Sequence, residues 1–329
     1  LGDVYKRQVL EECMTMYVHT EDGKKDFVRE LTRKCFVNGI RIKNVQHLSK
    51  KNGRNAIVFQ ARTVGRSCVA AKKVVPVLTE VLRSGYYPDD SNRRIINEEY
   101  HQYIFIQEDR FKLLSGVARM NKGKSHFNGD NFLISRLECG KAIAAIADGM
   151  GSGKRAYIES RMVIELMENC IDAGFDEKAS IDLINSAYIA GGGTGNPVTM
   201  DMSVIDCQSG YMHCMKLGAV STFIRRDKWV EIIQSTTLPM GVLEQVDYDC
   251  TTKKLYDGDY IVMVSDGVLD NIPCVNKEER MAQMIHALTI REPSAMAEKL
   301  LEQSLTYNDM KASDDCTVLV LGLFDTYEK

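Results

Sequence analysis

The chain has 329 residues, 44% apolar and 26% charged, with 42 Lys and Arg against 45 Asp and Glu, a net charge of −3 and a pI near 6.1. This is room for one large domain and a smaller one of ordinary soluble character; it excludes a disordered chain and argues against a dedicated nucleic-acid binder. No apolar stretch is long enough to span a bilayer, and the ten cysteines contain no Cys-x-x-Cys. Several of them (Cys139, Cys170, Cys207) sit in apolar patterns, which reads as small core residues in a reducing, cytosolic setting without structural zinc.

The sequence opens on Leu1 rather than Met and reads as a fragment, so Leu1 to Gln8 carry no weight. Met14 to Val18 and Ala56 to Ala61 are strand-like and flank a charged helical stretch, Lys25 to Cys35, the pattern of a small α/β unit. Lys43 to Arg54 is locally basic and is expected to be a solvated face. From Ala70 to Arg83 the apolar positions Val74, Val75, Val77, Leu78, Val81 and Leu82, with Gly85 beyond, predict an amphipathic connector helix. Tyr103 to Ile106 and Phe111 to Met120 read as strands, the second leading through a polar turn at Asn121 to Lys124 toward Asp130. The expected division is therefore a regulatory and linker region at 1–110 and a second domain at 111–329.

In that second domain Lys154 to Ala173 is predicted helical with Gly174 as its stop. Glu177 to Ala190 is a second helix, with Ile181, Ile184, Ala187 and Tyr188 on one face. The uncharged run Leu183 to Met200 ends in a glycine-rich loop at 191–196. Met202 to Ile205, Tyr211 to Leu217, Thr222 to Arg225 and Val230 to Ile233 follow as strands, then helices at Lys277 to Thr289 and Pro293 to Tyr307, the last opened by proline. A helix pair followed by antiparallel strands points to an α+β fold.

Three further runs, Ala142 to Ala147, Tyr260 to Val264 and Thr317 to Phe324, suit buried strands, and each carries acids at one end. The acids are Asp148-Gly149-Met150-Gly151-Ser152-Gly153, Ser265-Asp266-Gly267 and Asp314-Asp315-Cys316-Thr317. Any one Asp-Gly alone is an ordinary turn signal. With the third strand antiparallel to the other two, however, all the carboxylates would reach one edge of a sheet, and hard oxygen ligands gathered so suit Mg²⁺ or Mn²⁺. Gly149, Gly151 and Gly153 permit a tight strand-to-helix loop after Asp148.

In this order the three motifs resemble the metal-dependent serine/threonine phosphatases of type 2C, and within them the stage II sporulation protein E family of endospore-forming bacteria. Further matching stretches are Asn128-Gly-Asp-Asn-Phe132, Glu159-Ser160, Ile184-Asn185-Ser186, Thr199-Met-Asp201, Lys216-Leu-Gly-Ala219 and Leu238-Pro-Met-Gly241. The likeness runs from about Gly116 to Leu323 and is weaker before. It implies two antiparallel β-sheets packed face to face with helices outside, preceded by the small α/β regulatory region. It also implies two Mn²⁺ or Mg²⁺ ions that acidify a water and clamp phosphoryl oxygens, so that no protein nucleophile is needed. The sequence agrees in having no nucleophile elbow.

Carried over by position, Asp148 bridges the ions, the Gly149 carbonyl binds one, Asp266 and Asp314 bind the other, and Asp130 completes a shell. Asp201, read as a solvated or turn residue, and Asp315 stay outside the ligand set. The resemblance further implies a phosphorylated anti-anti-sigma factor as protein substrate, whose dephosphorylation releases a sporulation sigma factor. A membrane-spanning region would precede this cytoplasmic part, and the region before the phosphatase-like domain would govern a shift of the two helices Lys154 to Ala173 and Glu177 to Ala190. Contact with the cell-division machinery through the N-terminal region and a homodimer stay open. The departures from the family are Asn128, where Ser is usual before Gly-Asp, and the glycine-rich loop Gly191 to Asn196. A pseudo-phosphatase binding platform and another two-metal hydrolase, such as a nuclease, are the alternatives, the first disfavoured by the presence of every matched acid and the second by the lack of a basic groove. His126 is a weak further candidate, Trp229 reads as packing and Met240 as a hydrophobic turn.

Overall fold

The computed structural model describes residues 17–18, 25–50, 54–123, 126–137, 139–151, 153–190, 196–243 and 248–326. Of the strand expected at Met14 to Val18 only the last two residues are among these, and most of the glycine-rich loop at 191–196 lies outside them. The chain forms two compact units, Leu1–Arg110 with Glu138–Gly140, and Phe111–Leu137 with Lys141–Lys329.

The first unit runs β1 (Tyr17–Val18), α1 (Lys25–Val37), β2 (Ile40–Lys50), β3 (Ala56–Thr63), β4 (Val69–Ala70), a 3₁₀ turn (Ala71–Val74), α2 (Val75–Leu82), β5 (Tyr86–Pro88), β6 (Ile95–Ile96) and β7 (His101–Gln107). Its main sheet has the antiparallel order β1-β2-β3-β7-β5. Leu31 and Cys35 of α1 and Val77 and Leu78 of α2 share a core with Ile57, Phe59 and Phe105, the two phenyl rings stacked at 5.4 Å. The connector helix stops on Arg83, held in the left-handed region at φ 51°, two residues before the glycine that marked its end in the sequence. Of the basic stretch Lys43 to Arg54, the described cations at its two ends both have partners. Lys43 lies over the Tyr100 ring, and the Arg54 guanidinium pairs with Asp109 at 2.8 Å and donates to Tyr87.

The second unit runs β8 (Phe111–Met120), β9 (Asp130–Arg136), β10 (Lys141–Gly149), α3 (Lys154–Asp172), α4 (Glu177–Ala190), β11 (Val198–Asp206), β12 (Tyr211–Leu217), β13 (Thr222–Arg225), β14 (Val230–Ile233), β15 (Asp249–Lys254), β16 (Tyr260–Val264), α5 (Asp266–Asp270), α6 (Lys277–Ala287), α7 (Pro293–Thr306) and β17 (Cys316–Asp325). Two five-stranded antiparallel sheets result, ordered β15-β12-β11-β10-β9 and β14-β13-β16-β17-β8. This is the α+β sandwich expected from the sequence. Between the sheets, Ala144, Ile146, Ile205 and Met212 meet Ile261, Met263, Leu319 and Leu321. On the outer side of the second sheet, Val262, Val264, Val318 and Val320 are covered by Met281 and Ile285 of α6 and Met296 and Leu300 of α7. Helix α3 packs on β9 and β10, with α4 against α3. Strands β16 and β17 are therefore buried on both faces, which is why they read as unbroken apolar runs.

The three acid-bearing strands do not share a sheet: β16 and β17 are antiparallel neighbours, but β10 belongs to the facing sheet. A run buried on both faces has the same composition in either layer, so sequence carries no mark of sheet membership. Trp229 is also misread as packing; it lies in the turn between β13 and β14, 49% exposed, with the Arg226 guanidinium over its ring.

The first turn of α7 rests on β8 at Gly116, where a Cβ would stand 2.2 Å from the Ser294 nitrogen. Gly116→Val is expected to cost about 1–3 kcal/mol of stability through overpacking, while Ser115→Ala at the exposed neighbour changes it by less than about 0.5 kcal/mol. Denaturant unfolding of the two variants measures the difference.

Candidate active site

Strand β10 ends where α3 comes down on it: a Cβ at Gly149 would lie 2.4 Å from the Ala156 carbonyl oxygen. Gly151 and Gly153, at φ 99° and 87°, then turn the chain into α3 through a conformation that side-chain-bearing residues resist. Asp148, at the end of β10, is the register partner of Asp130 on β9 and of Thr199 on β11. In the facing sheet β16 runs out at Val264, and Asp266 opens α5 rather than a turn. Because β17 is antiparallel to β16, Asp314 and Asp315 arrive beside that end. The acids therefore meet across the open end of the sandwich, two from one layer and three from the other.

Asp130 is only 1% exposed, and both its carboxylate oxygens are buried without a hydrogen-bond partner. The hydroxyls of Thr317 and Ser265 face it and draw its pKa down, but burial outweighs them, with the charges of Asp266 and Asp315 adding to the rise, to about 7. Asp148 lies between Asp130 and Asp266. Burial, then the negative charges of those two neighbours, pushes its carboxyl up to about 9. Asp266 also shifts upward, through burial first, although the Gly267 N–H opposes the change. Asp314 is half-exposed, with the Lys122 ammonium 3.5 Å away. The structure thus brings Asp130, Asp148, Asp266 and Asp314 together around the Gly149 turn. Among the described residues no three His, Cys, Asp or Glu side chains are arranged so that they could hold a metal ion as they stand.

Asp315 has a different use from its neighbour. It is buried and accepts the backbone N–H groups of Lys122 and Gly129, both at 2.7 Å, so it ties the start of β17 to the segment between β8 and β9. A Cβ on Gly267 would stand 2.1 Å from the Asp315 carbonyl oxygen, which seats α5 on the same point. Asn128, the departure from the family spelling, accepts the Asp130 N–H at 2.9 Å and donates to Asn121, and so orients the first acid. Ser160 of α3 donates to the Gly129 carbonyl at 2.5 Å.

Asp201 is not a solvated or turn residue: it is 2% exposed inside β11 and pairs with Lys216 at 2.6 Å. Met240 is fully buried and forms a bridge with Val198 at the start of β11, while Gly241 donates to Asn185. His126 is exposed. The sequence reading missed Arg119 on β8, whose guanidinium donates to the Asp130 carbonyl. Burial lowers its pKa against the pull of Asp130 and Asp315. An Arg eleven positions before an acid carries no signal until β8 and β9 are placed.

Four carboxylates, one with both oxygens orphaned in the interior, are a donor set suited to hard divalent cations. The sandwich, its outer helices and this acidic mouth give the second unit the fold of the type 2C phosphatase domains. The solved PP2C phosphatase domain and regulatory-domain fragment of SpoIIE from Bacillus subtilis matches with a TM-score of 0.70 and 26% identity, over 98% of this chain and 97% of that one. RsbX in complex with magnesium shares the fold, with a TM-score of 0.51 and 20% identity over 66% of this chain and 97% of that one. The family model for stage II sporulation protein E matches residues 139–324, and the chain belongs to that family. The stage II sporulation protein E of Bacillus subtilis (strain 168) is 29% identical over 286 residues, and that of Priestia megaterium 30% over 253. These alignments cover 87% and 77% of this chain but 34% and 43% of the relatives, so the chain spans well under half of their length.

The raised carboxyls set the sign of a pH effect. An Asp whose pKa is higher in the fold than in the unfolded chain favours the fold at low pH and costs stability as pH rises toward the folded value, here about 9 for Asp148. In chelator, Asp148→Asn is therefore expected to match wild type near pH 4 and to exceed it by on the order of 2 kcal/mol at pH 8. Denaturant melts across that range check it; a gap that does not widen with pH contradicts the shared burden of charge.

Proposed function

We propose that residues 111–329 hydrolyse phosphoserine in a protein substrate, using two Mn²⁺ or Mg²⁺ ions held by Asp148, Asp266, Asp314, Asp130 and the Gly149 carbonyl. The observation that carries this reading is the buried, partnerless carboxylate of Asp130 beside Asp148 and Asp266. Bound there, the ions would supply a water acidified to near-neutral pKa and positive charge for phosphoryl oxygens. The chain's own residues do the rest. Asp148 must give up its proton to act as a ligand, so binding releases protons and strengthens as pH rises. Two cations beside the acids, Arg119 and Lys122, support the reading as groups that would meet the phosphoryl oxygens of the substrate. The exposed setting of Asp314 and Lys122 suits a substrate as large as a folded protein.

Membership of the stage II sporulation protein E family supports a phosphorylated anti-anti-sigma factor as the substrate and a sporulation sigma factor as the one released. It also supports a membrane anchor elsewhere in the full protein; among the described residues no helix is long and apolar enough to cross a membrane. Residues 1–110 act as the regulatory region and as the contact with the cell-division machinery or a second copy. Helix α3 begins at Lys154, just after the Gly149 turn, so a shift of α3 and α4 would move that carbonyl relative to Asp266.

Turnover of a serine-phosphorylated anti-anti-sigma protein is expected to need added Mn²⁺ or Mg²⁺ and to vanish in chelator; full activity in excess chelator overturns the reading. Asp148→Asn and Asp266→Asn should each lower kcat by on the order of 10²-fold or more with the circular dichroism unchanged. Arg119→Ala should lower kcat/KM by roughly tenfold. Equal turnover and equal Mn²⁺ affinity for the whole chain and for the chain from Phe111 onward would remove the regulatory role of residues 1–110.

A further inference from the structure

Beneath the acids lies a buried ion pair that the proposed chemistry does not use. On β10, Ile146 and Asp148 share the face that looks between the sheets, and on β11 their register partners are Asp201 and Thr199. Asp201 therefore sits one layer inward of Asp148. Lys216, its partner across β12, sends its ammonium into the sandwich, where it donates to Asp201 at 2.6 Å, the Val220 carbonyl at 2.7 Å and the Thr222 hydroxyl at 2.7 Å. Those three bonds use every ammonium proton. The Thr222 hydroxyl in turn donates to the same Asp201 oxygen. Lys216 is 1% exposed and Asp201 2%.

The location of Thr222 gives the pair its consequence. Asp201 and Lys216 belong to the first sheet, whereas Thr222 opens β13 of the second. Thr222 is the register partner of Met263 on β16, two residues before the Ser265-Asp266 step. A continuous path thus runs from Asp148 through β11 to the ion pair, across to Thr222, and along β16 to Asp266. Around it the core between the sheets is apolar, and apolar contacts attract without direction and tolerate small slides; the other polar links between the layers lie at their margins, Arg119 and Asp315 at the open end and Glu231 with Lys253 at the edge strands. A buried ion pair is weak evidence for stability, since an apolar pair of similar volume often packs as well. It does impose fixed donor–acceptor distances, and a metal cage needs its ligands held to about 0.5 Å.

We propose that Lys216 and Asp201, with Thr222, are positioning residues that set the separation of the two sheets under the acid cluster, and so the placement of Asp148 relative to Asp266 for cation binding. This rests on the metal-site reading above, and the test separates the two. Calorimetric titration of Mn²⁺ into the whole wild-type chain comes first; no saturable binding sinks the metal-site reading and this inference with it. Given wild-type binding, the double variant Asp201→Leu with Lys216→Met removes both charges together and leaves neither buried alone. Its expected behaviour is a cooperative melt close to that of wild type with Mn²⁺ affinity weaker by about tenfold or more. A folded double variant with wild-type affinity shows that the pair is structural filling and overturns the inference. Thr222→Val keeps the ion pair but cuts its link to the second sheet, and serves even if the double variant does not fold. It should weaken Mn²⁺ binding several-fold, and unchanged affinity overturns the inference independently.

Discussion

Like charge held in a low-dielectric place is the condition around which the second unit is organised. Asp130, Asp148 and Asp266 stand close enough to raise one another's pKa, and burial raises all three further. Nothing in their own interaction would keep them there. Their positions come from the ends of β9, β10 and β16, so the cost of gathering them is met by the apolar core between the sheets and by the packing of α6 and α7 outside. A cation offsets the same cost directly, which makes the arrangement receptive to a hard divalent ion in a way that a dispersed set of surface acids is not.

Backbone anchoring supplies the precision. Gly149 and Gly267 each lie where a Cβ would collide with another backbone, against Ala156 and Asp315 respectively. Helix α3 is thereby seated on the first sheet and α5 on the second, each with an acid at the contact. Asp315 closes the arrangement by taking two backbone N–H groups from the segment that leads to Asp130. Adjacent aspartates thus divide the work. Asp314 points to the open side near Lys122, while Asp315 fixes the frame.

Much of this was legible in the sequence because it is written in local pattern. The runs at Tyr211–Leu217, Thr222–Arg225, Val230–Ile233 and Tyr260–Val264 are strands with the bounds their composition predicts. Helices α3 and α4 follow from apolar periodicity closed by Gly174 and by the glycine-rich loop. Strand β15 was not legible: Asp249–Lys254 is charged and polar, and pairs because β12 offers an edge. Strand β2 buries Ile40, Ile42 and Leu48, but a register shift between Lys43 and Gln46 breaks its alternation. The short helix at Asp266–Asp270 was hidden behind an Asp-Gly pair that spells a turn.

The sequence by itself determined which acids lie at strand ends and where glycine permits the chain to turn, since both depend on residues a few positions apart. Only the tertiary structure decided that Asp148 and Asp266 face each other from different sheets, that Asp201 is locked to Lys216, and that Arg119 stands by Asp130. The physical reason is that a strand buried on both faces has one composition whichever layer holds it. Pairing between sheets is set by packing among segments far apart in the chain, which no local spacing encodes.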